Sequence, residues 1–131
     1  MTQQHRVKAM IESQMTVNVN GTDYLINKFK GKEGLMIGAK ISKLIAPLFA
    51  ASTSNGEELD ITKIADYITD KMDEDSVCQL IVKLMTSVYK GSQQVNFDTE
   101  FAGNYATLFD LIKEVVMFNY SDVFSKLGTR S

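Results

Sequence analysis

Asn20-Gly21, set between the alternating runs of TVNVNGTDYLINKF, leaves the first part of this chain very few arrangements. A two-residue type I′ turn needs positive φ at both central positions, and Asn and Gly accept that conformation most readily. With these two residues as the turn, Val19 faces Thr22, Val17 faces Tyr24 and Met15 faces Ile26. Side chains alternate across a strand, so Met15, Val17, Val19, Tyr24 and Ile26 share one apolar face. A two-stranded hairpin is marginal alone in water, and this face must be laid on something else.

That partner is helical. After the Lys/Gly stretch KFKGKEG, Ile37, Ile41, Leu44, Ile45 and Leu48 recur at spacings of three and four, which predicts an amphipathic helix that kinks or stops at Pro47. The composition of ASTSNGEE (51–58) reads as a connecting loop. Asp60 is placed to cap the next helix, whose stripe is Ile61, Ile64, Ala65, Ile68 and Met72. Beyond the break at MDEDS, a further stripe runs through Val77, Leu80, Ile81, Leu84, Met85 and Val88. Asp73, Glu74 and Asp75 then fall at the positive end of this helix, and Lys90-Gly91 at its close. Seven of the twelve aromatics lie between Phe97 and Phe124. Here Thr99 is placed to cap a short turn and Gly103 to interrupt it. Leu108, Leu111, Ile112, Val115 and Val116 mark another helix, and a last short turn at 122–126 folds Phe124 back. The expected fold is mainly α (α+β): an N-terminal β-hairpin followed by a compact bundle of about four helices. Residues 1–14 form a flexible lead-in, 15–127 a single domain and 128–131 a tail.

The remaining composition narrows the chemistry. The 131 residues suit one domain with a core large enough to need no staples. Fourteen basic and sixteen acidic residues give a net charge of −2, which lacks the general pull toward phosphate of a nucleic-acid binder. One Cys and one His allow neither an internal disulfide nor a four-ligand Cys/His zinc site. No secretion signal is visible in MTQQHRVKAMIESQM, nor a run of about 18 apolar residues, so no membrane partner is expected.

No residue set reads as catalytic. His5 lies in the polar lead-in, too loosely held to serve a nucleophile. Cys78 falls beside the Val77/Ile81/Leu84 stripe and reads as a small packing residue. GKEGLMIG matches neither GxxxxGK[ST] nor GxGxxG, so Gly31 and Gly34 read as permissive backbone at a strand-to-helix turn. No cofactor or metal is expected. Charge, however, is unevenly spread. Lys28–Lys43 carries five Lys and one Glu, and Glu57–Asp75 eight acids and two Lys. Such blocks either steer self-association or a partner, or lie as two solvated faces, the commoner arrangement. The seven Met residues allow an adaptable binding face, but Met72 and Met85 sit on core stripes.

FDTEFAGNYATLFDLIKEVVMFNYSDVF resembles a family, the tailed-phage tail assembly chaperones, in its paired Phe, Gly, Tyr, Leu-Phe and Asn-aromatic-x-Asp-x-Phe close. VNVNGTDYLINKFKGKEGLMIGAKISKLIAPLFA is similar to the same family's hairpin, Lys-rich turn and first helix. The resemblance spans roughly residues 14–127. It implies a non-enzymatic protein of the infected bacterial cytoplasm, absent from the finished virion. Such a protein binds the tape measure protein, keeps it soluble and delivers it to the tail tube protein. Homo-oligomerisation is a further expectation. Phe97, Phe101, Tyr105, Phe109 and Phe118 are the candidate partner-binding residues, although for large aromatics core packing is the commoner role. Two other roles fit the sequence: a minor structural tail protein, such as a completion or baseplate component, and a small adaptor or inhibitor of a host protein.

Overall fold

The computed structural model describes residues 13–54 and 61–129, with side chains for 13–51 and 62–122. Residues 1–12, His5 among them, 55–60, with Asp60, and 130–131 lie outside the described part, as does the Phe124 side chain. Strands β1 (Gln14–Val19) and β2 (Thr22–Asn27) form the expected hairpin. Its register matches the sequence reading throughout, with Met15 opposite Ile26, Val17 opposite Tyr24 and Val19 opposite Thr22. Asn20 and Gly21 have φ of 52° and 90°, the two left-handed positions the turn requires. Val19, Tyr24 and Ile26 are buried, with Met15 and Val17 half-buried beside them.

Helix α1 spans Gly31–Ser54 and carries Pro47 inside it. The expected interruption at Pro47 therefore includes no stop, and 51–54 are helical rather than loop. Proline removes one backbone donor and crowds the carbonyl four residues back. Leu48 and Phe49, just beyond it, pack against the core and hold the chain in register across that defect. Helix α2 (Ile61–Asp70) buries Ile64, Ala65 and Ile68. Met72, assigned to this stripe, lies past the helix end and is exposed. Helix α3 (Asp75–Leu84) starts after Glu74 and buries Val77, Leu80, Ile81 and Leu84.

The third helix stops earlier than its apolar spacing predicts. Thr86 and Ser87 turn their hydroxyls back onto the carbonyls of Lys83 and Leu84, at 2.6 and 2.9 Å, and the chain tightens into a 3-10 turn over Met85–Ser87. Val88–Lys90 then leaves as strand β3, pairing Ile26 with Val88 and Leu25 with Tyr89. Gly91, at φ 63°, serves a second hairpin turn rather than a helix end, and leads into β4 (Gln93–Gln94). The expected two-stranded hairpin is thus half of a four-stranded antiparallel sheet in the order β1-β2-β3-β4.

A single turn, α4 (Phe97–Glu100), precedes the longest helix, α5 (Tyr105–Thr129). Its cap is Asn96, whose side chain accepts from the Thr99 amide; Thr99 itself is not the cap. Gly103 breaks the chain at φ 67°. The separate last turn expected at 122–126 is absorbed into α5, which is continuous there. Leu108, Leu111, Ile112, Val115 and Val116 are all buried, making α5 the central element, with α2 packed along it.

Candidate functional site

Two side chains lock α1 onto α5. Gly38 leaves room for the Tyr120 ring, since a Cβ there would stand 3.1 Å from Tyr120 Cε1. The Tyr120 hydroxyl donates to the Gly34 carbonyl at 2.8 Å. Burial, with Glu33 adding its charge, pushes this phenol up to about 12. At the entry to α1, the Phe29 amide donates to Asn119 Oδ1 at 3.0 Å. The glycines of GKEGLMIG thus serve helix start and helix packing rather than phosphate.

With its buried stripe of Ile37, Ile41 and Ile45 committed to the core, α1 turns other apolar residues outward. Leu35 is 75% exposed and Met36 53% exposed. By length and composition Gly31–Ala51 could cross a membrane, with a mean hydropathy of 1.4 and 17% of it buried. Between α1 and α3 lies an open groove of about 930 Å³. Its apolar lining comes from Met36, Ile37, Leu44, Val77 and Leu80, and its charged lining from Lys30, Lys32, Lys40, Lys43, Lys83 and Glu33.

Glu33 and Lys83 pair across one end at 3.3 Å, where both are about half exposed. Such a pair adds little stability but relates the start of α1 to the end of α3. Among the described residues Lys30, Lys32, Lys40 and Lys43 have no carboxylate within ion-pair distance. The result is an apolar trough with a positive rim, in which four lysines have no carboxylate partner among the described residues. The basic block was legible in the sequence, but its junction with the apolar floor was not, because α3 lies some forty residues further on. One local signal existed: in Leu35-Met36-Ile37 a helix can direct only part of the run inward.

The aromatic residues singled out from the sequence divide. Phe101 is buried, and Phe97 meets it edge-on with ring centroids 5.3 Å apart. Phe118 is buried with the Lys28 ammonium 4.7 Å from its ring centroid. Phe97 and Phe109 are half-buried against the core, whereas Tyr105 is 56% exposed. Tyr24 donates to Glu100 Oε2 at 2.6 Å, and Lys90 reaches the other oxygen at 3.3 Å. Burial first, then Glu100, lifts Tyr24 to about 12. These contacts tie the sheet to α4 and form no reactive constellation. Cys78 is exposed rather than packed. Among the described residues no cluster of three or more His, Cys, Asp or Glu is placed to hold a metal ion.

Fold and surface together define a small, mainly α protein with some β, bearing an open, largely apolar groove between α1 and α3. The family model of the phage tail assembly chaperone proteins, TAC, matches residues 20–131, and the chain belongs to that family. Comparison with curated proteins and with solved structures returned no match. Membership supports a role as a tail assembly chaperone, implies a non-enzymatic protein and points to a phage tail protein as partner.

Proposed function

We propose that this protein binds the tape measure protein of its phage and keeps it soluble in the host cytoplasm until the tail tube assembles around it. It is then absent from the mature virion. The observation that carries this reading is an open apolar groove on a member of a chaperone family. A long chain with uncovered apolar surface aggregates, and a small protein offering a complementary trough can cover that surface while assembly proceeds.

Co-expression with the phage's tape measure protein tests the reading. Soluble tape measure that co-purifies with this chain is the expected result. A tape measure that stays insoluble and unbound, with both proteins well expressed, refutes it and moves attention to the tail-component and host-adaptor roles. Finding the chain in purified virions would separately contradict its departure before completion.

A further inference from the structure

We propose that the groove between α1 and α3 takes one helix of its partner, amphipathic, with acidic residues flanking its apolar stripe. The proposal deepens the chaperone reading and rests on it only for the identity of the protein that carries this helix. Three observations lead to it. The groove is an elongated trough between two helices, the surroundings into which a third helix packs with its side-chain ridges. From Lys32 to Leu44 its wall is twelve residue steps long, about 18 Å at the helical rise, which matches an occupant of three to four turns.

Its floor is apolar, which a nucleic-acid strand or a free anion would leave unused. Met36, exposed in its lining, is an unbranched side chain that adapts to another apolar surface. Its rim carries Lys30, Lys32, Lys40 and Lys43 without carboxylate partners among the described residues. Acidic flanks on the incoming helix would supply them, and a basic or neutral helix of equal hydrophobicity would be rejected or held less tightly. The chain's own first twelve residues are poorly suited to the place. Arg6, Lys8 and Glu12 give them a net positive charge, the same sign as the rim.

The test uses two labelled synthetic peptides of about fourteen residues, long enough to fill the groove. They share Leu at every third and fourth position and differ only in carrying Glu or Lys on the flanks. Fluorescence anisotropy against the full chain should show the Glu peptide binding at least about tenfold more tightly than the Lys peptide, with the preference fading toward about 0.5 M salt. K40E/K43E changes only exposed side chains, takes the groove lining from five Lys and one Glu to three of each, and should abolish the preference. Met36→Asp should weaken both peptides. Circular dichroism confirms that each variant folds.

Equal binding of the two peptides, no binding of either, or an unchanged preference in K40E/K43E overturns the proposal. So does a short DNA duplex that binds as tightly as the Glu peptide. So, too, does a chain that self-associates at low salt and becomes monomeric in K40E/K43E, because the occupant would then be a second copy. The two readings fail separately. If wild type and K40E/K43E solubilise the tape measure protein equally, the chaperone role stands and the groove assignment falls. If the peptide preference holds while the tape measure protein stays insoluble, the groove stands and its assigned partner falls.

Discussion

Gly38→Ala sets two effects of similar size against each other. In the interior of α1 the substitution gains helix propensity, about 1 kcal/mol relative to Gly. The new methyl would sit 3.1 Å from Tyr120 Cε1, closer than ordinary van der Waals contact, and overpacking of this kind costs about 1–3 kcal/mol. Which effect wins depends on whether the ring can withdraw. It is held at its far end by the 2.8 Å bond from its hydroxyl to the Gly34 carbonyl, one turn earlier on the same helix, so it withdraws poorly. Gly38→Ala should therefore destabilise by about 1 kcal/mol net, within a range of about 0–2.

Tyr120→Phe alone should cost about 1 kcal/mol for the lost hydrogen bond. With that tether gone the ring can shift, and Gly38→Ala placed on Tyr120→Phe should be neutral or stabilising. Urea denaturation of the four proteins, followed by far-UV circular dichroism, gives the coupling directly. It should amount to about 1–2 kcal/mol, well above the additivity error of about 0.5 kcal/mol. A Gly38→Ala protein more stable than wild type by the full propensity gain, or effects that simply add, would refute the argument that the hydroxyl bond pins the ring.

The hairpin turn allows a similar separation. Asn20→Gly keeps the left-handed backbone but loses the 2.9 Å bond to Thr107 Oγ1, and should cost about 1 kcal/mol; Asn20→Ala also strains the turn and should cost about 2, read by the same denaturation curves. Ile112→Ala, at a fully buried position on the central helix, should cost about 2–5 kcal/mol and lower the thermal midpoint by several degrees. Tyr24 and Tyr120 both ionise near 12 in the folded chain and near 10 when unfolded, so the stability they contribute is fully present below pH 10 and lost as pH rises toward 12. At about 1.4 kcal/mol per pH unit the loss is roughly 3 kcal/mol for each, visible as a falling melting temperature in that window; a flat profile there would contradict it. Burial raises the Glu114 carboxyl above its ordinary value, with Asp110 adding to the rise and Lys113 opposing it, so its charge at pH 7 works against folding and Glu114→Gln should leave stability unchanged or slightly higher in thermal melts.

What the sequence determined by itself is local. Asn20-Gly21 dictates its own φ angles, and the alternation on either side then leaves one register with a continuous apolar face, so β1 and β2 were legible residue by residue. The stripes of α2, α3 and α5 were legible for a related reason: a helix closes its hydrogen bonds within itself, and its apolar period shows which side needs cover. Asn96 and Thr99 show how narrow the margin can be, since both residue types cap helices and only geometry chose between them. The same locality misled at Val88. Its spacing from Leu84 continues a helical stripe, but its backbone pairs with Ile26, sixty-two residues earlier, and nothing in a short window reports a partner at that distance. At Pro47 it was the stop that did not occur, for the converse reason: Leu48 and Phe49, just beyond it, pack against the core. The groove belongs wholly to this second kind. Lysines in one segment and apolar residues in another become a single surface only once α1 is pinned to α5 through Tyr120 and α3 is laid beside it, and that placement comes from long-range packing that no single stretch of the chain encodes.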